Sequence, residues 1–561
     1  MLHSIPARQK LLVMIAVMSG LFLFALDQTI IAAALTKIVE DFNSFSSLGF
    51  IVTAYLLAST VTVPIAGKLS DLLGRRPVLL AGVIVFTIGS LLSGISQNIG
   101  ELIAFRALQG FGGGIIIANA FTIVGDLFSP RERGKWQGIF GAVFGLASVV
   151  GPLLGGFLTD EHMLFGYTTD WRWTFFINVP VGVFSAIVIA KYCPNIKHEK
   201  KPVIDYSGAA ALTVALSTLV LAVDNTETVF KFLVDRGVGI GLIQASLYIL
   251  AALSTALFVF IESRAAQPII PLNFFKNRNF TTIIIAALLF GAAFLGSILY
   301  LTQFNQQVFE ADATTAGLML LPMIGGLTLT SAIIGQLVSR TGKYKSFIVG
   351  GFSVAAIGVF ALSSLGPDSS YIQEAIIMVF IGIGLGSGMP ILNLAVQNEF
   401  EQKDLGVATA SNQLFRNLGS TIGTALFSGI LTVGVTSSIV TVQDGAYVQA
   451  VKQSPSASQR LPEELDANAV LQLNSQRATI SDQAVSSINK SPLSPQAKDR
   501  KISEFKQDQN EFSAVVIGAF TASLHKIFFA ASGLMAIAAV VILLFLRERE
   551  LRDGSSPGLS E

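Results

Sequence analysis

The chain has 561 residues, 52% of them hydrophobic and 13% charged, with a formal net charge of +1; a soluble globular chain carries about 25% charged residues. That depletion, together with 51 glycines and 41 phenylalanines, describes a chain whose solvent is mostly lipid. The near-neutral balance excludes an electrostatic case for nucleic acid. The single Cys193 excludes internal disulfides, and His3, His162, His198 and His525 lie too far apart for metal spacing, so neither a metal nor another cofactor is implied.

At the N-terminus Arg8 and Lys10 precede an apolar run that continues past Asp27 without a small-residue cleavage site. This is a first membrane span, since a signal h-region is shorter and ends in such a site. Taking roughly 20 mainly apolar residues per crossing, candidate spans follow at approximately 11–35, 48–66, 78–97, 100–125, 136–158, 174–192, 205–223 and 238–261. After a polar linker with Pro268 and Pro271 come 281–305, 314–338, 345–365, 372–397, 405–436 and 526–546. An all-α polytopic membrane protein of about fourteen helices results, with both ends on one side. Placing those ends in the cytoplasm puts about 22 Lys/Arg in inner segments and about 4 in short outer loops, as the positive-inside rule requires. The inner set includes Arg75, Arg76, Arg131, Arg133, Lys135, Lys200, Lys201, Lys343 and Lys345. Residues 437–512 fall outside between the last two spans; they are polar, with Pro455, Pro462, Pro492 and Pro495. They read as a partly ordered loop in which 463–478 and 496–511 can form short helices.

Two internal echoes indicate a repeat. Gly67-Lys-Leu-Ser-Asp71-Leu-Leu-Gly74-Arg75-Arg76 follows the second span, and Gly335 through Gly342, Lys343 and Lys345 repeats its register after the tenth, with Ser339 in place of the acid. Gly110, Gly112 and Gly114 are echoed by Gly382, Gly384 and Gly386 at nearly the same offset. Two six-helix halves separated by two extra helices satisfy that arithmetic, and internal repeats are the usual mark of transporter folds.

Further motifs stand in order along the chain: Leu26-Asp27-x-Thr29-Ile30 with Ala34-Leu35; Arg106-x-x-Gln109-Gly110 with Gly113-Gly114; Gly145, Gly151-Pro152 and Gly155-Gly156; Trp171-Arg172-Trp173 with Phe176-x-Asn178-x-Pro180. With the Gly67–Arg76 loop, they resemble the major facilitator superfamily, in particular its fourteen-helix drug:proton antiporter branch, over nearly everything but the 437–512 loop and the tails. Ala32 and Thr36 depart from the branch's usual Asn and Pro. The resemblance implies a fold of two pseudo-symmetric six-helix bundles plus two central helices. It implies a gating role for Gly67, Asp71, Gly74, Arg75 and Arg76, against the plainer reading of a topogenic turn. It identifies Gly145, Gly151, Pro152, Gly155 and Gly156 as the antiporter motif, which general helix packing explains equally well.

Asp27 and Arg106 are charges within spans, and such charges cost at least ~2.5–3.5 kcal/mol unless they face the bundle interior and find a partner. Counted along their helices they reach comparable depth in the outer half of the membrane. A titratable acid beside a permanent cation is a proton-coupling device; a static buried ion pair is the alternative. On the coupling reading, Asp27→Asn abolishes proton-driven export while leaving folding intact. Arg416 sits near mid-depth without a visible acidic partner, which places it in an interior cavity or against neighbouring carbonyls. Tyr55, Gln109, Gln303, Asn393, Gln397 and Gln413 supply the polar groups an amphipathic cavity needs, or else helix–helix hydrogen bonds. Asp126 and Glu399, at helix ends, read as solvated interfacial acids.

The glycine runs at 110–114 and 382–388 lack the strand and the Gly-Lys-Ser/Thr of a nucleotide loop, so ATP is not the direct energy source and an ion gradient remains. A catalytic cluster for a membrane enzyme is missing, and a channel or sensor needs no paired acid and base. The serious rival is the same fold with another cargo: lipid, siderophore or amino acid. The reading is therefore a proton-coupled antiporter exporting hydrophobic or cationic small molecules, a monomer in the plasma (inner) membrane with both termini cytoplasmic. Its partners are the small-molecule substrate, protons and the lipid bilayer. Its divisions are a bundle at 1–198, two added helices at 199–265, spans nine to thirteen at 266–436, the outer loop at 437–512, and the last span with its tail at 513–561.

Overall fold

The computed structural model describes residues 6–42, 48–159, 162–164, 166–194, 203–223, 226–309, 311, 313–442, 445–452, 467–475, 477–492 and 494–551. His3, His198, Lys200, Lys201, Pro455 and Pro462 lie outside them, as do residues 463–466 and 476 of the stretch 463–478. Fourteen helices among the described residues are long and apolar enough to cross a membrane. They are α1 (Ala7–Asp41), α2 (Leu48–Leu73), α3 (Arg75–Gly94), α4 (Ile99–Leu127), α5 (Pro130–Thr159), α6 (Trp173–Tyr192) and α7 (Tyr206–Val223). The others are α8 (Ile240–Glu262), α9 (Arg278–Gln307), α10 (Leu321–Thr341), α11 (Lys345–Ala361), α12 (Tyr371–Glu399), α13 (Leu405–Val442) and α14 (Pro495–Phe545). Fourteen crossings return the chain to the face where α1 began, here termed the terminal face.

Local chemistry sets the helix ends. Gly74 takes φ 101° and Gly342 φ 70°; both belong to the left-handed region that glycine occupies without steric cost, and they occupy matching places in the two sequence echoes. Asn98 accepts the Glu101 N–H to start α4, and Ser370 with Gln373 forms a capping box at the start of α12. These caps also occupy matching places, so the repeat extends to the helix termini. Between α5 and α6 a two-residue antiparallel hairpin pairs β1 (Met163–Leu164) with β2 (Tyr167–Thr168).

Two separate hydrophobic cores form. One gathers Val13, Met14, Phe24, Val83, Phe86, Ile116, Phe121 and Phe140 from the first half. The larger gathers Phe280, Phe290, Phe304, Phe352, Met378, Leu385, Phe427, Phe528 and Met535 from the second. The added helices pack on the outside: Ala211, Leu212 and Leu216 of α7 and Phe258 of α8 meet Val61 of α2 and Leu414 of α13. Large apolar side chains such as Ile249, Leu253 and Leu257 of α8 remain exposed, as lipid-facing residues should.

The segment 437–512 differs from a loop. Its first six residues complete α13 and its last eighteen open α14, which runs 51 residues, roughly 76 Å at 1.5 Å per residue. Between them stand short helices Ala446–Lys452, Ala467–Ser475 and Arg477–Lys490. The helix expected over 496–511 is present, but it is continuous with the last span instead of a separate short helix, and Pro495 occupies its first turn, where no N–H is lost. These helices form a cap on the second half. Tyr447 packs on Phe505 and Phe512, Asn474 donates to Gln307 of α9 at 3.1 Å, and Arg477 donates to Ser513 of α14 at 2.7 Å.

Candidate functional site

Within the first bundle, α1, α3, α4 and α6 converge on one carboxylate. Arg106 Nη1 meets Asp27 Oδ2 at 2.6 Å, Gln109 Nε2 donates to Asp27 Oδ1 at 2.7 Å, and Asn178 Nδ2 donates to the same oxygen at 3.2 Å. Arg106 also donates to Gln109 Oε1 at 2.8 Å, and Asn178 to Ser90 Oγ at 3.0 Å. The guanidinium lies 4.3 Å from the Tyr55 ring centroid and 5.7 Å from that of Phe175, a cation–π arrangement. Asp27 and Arg106 are each 1% exposed, and Gln109 and Asn178 are 0%. Two lone pairs and a full charge are thus satisfied inside one bundle, which is what a buried ion pair requires.

Of the residues read either as cavity lining or as helix–helix hydrogen bonds, Gln109 makes the interhelical bond to Asp27 and Tyr55 sets its ring against the guanidinium, while the Tyr55 hydroxyl and Arg106 Nε have no hydrogen-bond partner among the described residues. Asn178 and Ser90 were not anticipated. The only sequence signal was Asn178's place in the sixth-helix motif; Ser90 had none.

A second buried charge cluster lies at the terminal face. Arg75 Nη1 meets Asp71 Oδ1 at 2.5 Å and Ser70 Oγ at 2.6 Å, while its Nε meets Asp126 Oδ2 at 2.6 Å. Asp71 Oδ2 then accepts the backbone N–H of Val407 at 3.0 Å, across the boundary between the bundles. Asp126 is 1% exposed, which corrects its reading as a solvated acid: α3 and α4 pack side by side and bring Arg75 to it. Glu399 is likewise 7% exposed and held by Asn277, Asn279 and Arg549. Arg76 is half-buried and donates to the Ala190 carbonyl at the end of α6.

The seam between the bundles is close at this face. A Cβ on Gly67 would collide with Ala410 Cβ and reach the Gly406 carbonyl at 3.0 Å. Gln137 of α5 donates to Gln397 of α12 at 3.1 Å, and Gln397 donates to the Phe121 carbonyl of α4 at 3.0 Å. Gln397 therefore closes the seam rather than lining a hollow. Helix α5 is packed from both sides: Gly145 leaves room for Thr328 of α10, Gly151 for Thr29 of α1, and Pro152 lies against Gly317. Gly155 is buried and Gly156 half-buried on the same helix.

Of the remaining expected cavity residues, Asn393 is fully buried and accepts from Asn412 at 2.7 Å. Gln413 is fully buried with both amide atoms unpartnered. Gln303 and Arg416 are half-buried. Arg416 occupies the helix face that carries Thr409, Gln413, Ser420 and Phe427, opposite the lipid-exposed Ile422, Leu426 and Val433, and no described side chain pairs with its guanidinium.

The geometry is that of two helical bundles with a close seam at one face and a buried acid–base pair inside the first. The family comparison agrees. The Major Facilitator Superfamily family model matches residues 17–424. The chain is 38% identical over 424 residues to the multidrug transporter protein MdtP of Bacillus subtilis (strain 168), covering 75% of each. It is 36% identical over 420 residues to multidrug resistance protein 3 of the same strain, covering 75% of this chain and 79% of that one. The human organic anion transporter MFSD10 (TETRAN) shares the fold, with a TM-score of 0.57 at 15% identity over 76% of this chain and 94% of that one. The chain belongs to the major facilitator superfamily and is a membrane transporter rather than an enzyme.

Proposed function

We propose that this transporter is a proton-driven antiporter that exports hydrophobic or cationic small molecules by alternating access, as a monomer in the plasma (inner) membrane with its terminal face in the cytoplasm. The carrying observation is the Asp27–Arg106 pair at 2.6 Å, sealed at 1% exposure with Gln109 and Asn178 on the second carboxylate oxygen. Protonating Asp27 removes the charge that holds Arg106. Among the described residues the guanidinium then keeps Gln109 Oε1 and the aromatic faces, and the packing of α1 against α4 loses its ion pair. A proton arriving from the outer side therefore biases the bundle toward another arrangement, which is the requirement for a coupled switch.

Alternation needs a gate that breaks. Asp71, Arg75 and Asp126, tied to Val407 N–H, and the Gln137–Gln397–Phe121 chain are hydrogen-bonded contacts that hold the terminal face shut. The 1–198 and 266–561 parts are the moving bodies, with 199–265 riding outside them. The names of the relatives, a multidrug transporter and a multidrug resistance protein, support the drug cargo. In proteoliposomes with an imposed pH difference, export of a cationic dye should release protons in wild type and fail in Asp27→Asn; normal proton-linked export by that variant would remove the mechanism.

A second cargo reading has an observation of its own. The unpaired, half-buried Arg416 guanidinium suits a solute with a carboxylate or phosphate, such as a lipid, siderophore or amino acid. Competition of dye export by acidic amphiphiles, lost in Arg416→Gln, would favour it.

A further inference from the structure

One buried acid is used by neither the coupling pair nor the gate. Glu374, in the first turn of α12, is 0% exposed, and both of its carboxylate oxygens are buried without a hydrogen-bond partner. Asn305, two residues from the end of α9, is also 0% exposed with both amide atoms unpartnered. Asn305 is the one described polar side chain that reaches the Glu374 carboxyl. Tyr371, one turn earlier on α12, donates its hydroxyl to the Met319 carbonyl at 3.1 Å. Among the described residues, no charged side chain of α5, α9, α10, α11 or α13, the helices packed against α12, acts on Glu374.

The contrast with Asp27 is a matter of partners. Asp27 has a guanidinium at 2.6 Å and two amide donors, so its charge is neutralised where it sits. Glu374 has no cation among the described residues, and an ionised carboxylate buried alone is strongly disfavoured. The neutral acid is the form that this environment tolerates. Asn305 suits it chemically, because an amide can accept the acid's O–H and donate to its carbonyl oxygen. Both groups lie at the ends of their helices away from the terminal face, where a small separation of α9 and α12 would admit water.

We propose that Glu374, positioned by Asn305, is a second proton-binding site, located in the C-terminal bundle and loaded in the conformation in which Asp27 is empty. Each bundle then carries one proton-binding carboxyl toward the face opposite the termini, and the two stand in opposite protonation states. The carboxyl O–H bond forms when α9 and α12 part and water at the face opposite the termini gives up a proton to the carboxylate; it breaks in the opposite conformation, where the proton passes to water reached from the terminal face. The role in transport rests on the antiport reading above; the presence of the proton does not.

The test is infrared spectroscopy of the purified full-length protein at neutral pH, in H2O and D2O. Wild type should show the C=O stretch of a protonated carboxyl that shifts on deuteration and vanishes on alkaline titration. Glu374→Gln, isosteric with the neutral acid, should fold and lack the band, and Asp27→Asn should keep it. A band that persists in Glu374→Gln belongs to another group, a band that neither exchanges nor titrates is a sealed structural acid, and absence of the band at neutral pH means an ionised carboxylate; each overturns the proposal. In proteoliposomes the proton-to-dye ratio should fall by one in Glu374→Gln, and an unchanged ratio would refute the transport role. If wild type moves no protons at all while the band behaves as expected, the antiport reading fails and the site stands.

Discussion

Removing Asp27 alone should destabilise the protein far more than removing it together with Arg106. Both side chains are 1% exposed, and among the described residues Arg106 has Asp27 and Gln109 Oε1 as its side-chain acceptors besides the Tyr55 and Phe175 rings. In Asp27→Asn the guanidinium loses its counter-ion while remaining buried, and an amide N–H2 competes with it for Gln109. Breaking one side of a buried pair costs about 3–5 kcal/mol because it leaves an uncompensated buried charge, whereas replacing both partners leaves no such charge. Asp27→Asn with Arg106→Gln should therefore recover most of the loss, leaving a coupling energy near the upper end of the roughly 0.5–3 kcal/mol seen for contacting residues. This modifies the expectation that Asp27→Asn leaves folding untouched. Equilibrium unfolding of the four proteins in mixed micelles measures the cycle, with dye export recorded in parallel. Equal stability of wild type and Asp27→Asn, or additive single and double variants, would show that the pair is not formed and would refute the argument.

Three other outcomes follow from particular contacts. Gly67→Ala places a methyl group against Ala410 and the Gly406 carbonyl at 3.0 Å, so the terminal-face seam should open; spin labels on the ends of α2 and α13 should move apart, and Ala410→Gly should partly restore the short distance. Cys193 is 3% exposed, and burial pushes its thiol up to about 12 against the opposite pull of Arg76. It should resist maleimide at neutral pH until the protein is unfolded in SDS; rapid labelling of the folded protein would contradict its burial. An unfolded thiol ionises near ~8.5, so between that value and about 12 the unfolded chain binds fewer protons and stability falls as pH rises. Arg416→Gln should weaken inhibition by acidic amphiphiles about tenfold or more, the scale of one charge-assisted contact, and leave cationic dyes unaffected; equal effects on both would exclude a charge-selective role.

The spans were legible because lipid demands a feature that a one-dimensional reading detects: a long apolar run with few charges. Asp27 and Arg106 were legible as partners for a related reason. Buried charges must meet, and depth along a helix is simple arithmetic at 1.5 Å per residue. The caps at Asn98 and Ser370 and the glycines at positive φ show that the repeat visible in the sequence is also a repeat of backbone geometry.

What the chain alone could not decide was azimuth, meaning which neighbour each side chain turns toward once the helices pack. Asp126 and Glu399 looked solvated because they end helices, yet Arg75 and Arg549 reach them from other elements. Gln397 looked like a cavity residue and instead spans the seam to Gln137 and Phe121, while Asn178 and Ser90 join the acid because α3 and α6 bring them there. The outward extension of α14 is held by Tyr447, Phe505 and Phe512 contacts made by the cap, and no hydropathy window over 495–512 contains that information. Hydrophobic transfer is additive along a chain, so composition and periodicity determined the membrane architecture. Hydrogen bonds and ion pairs are short-ranged and directional, so only the packed helices decided which acids are paired, which are orphaned and which reach across the seam.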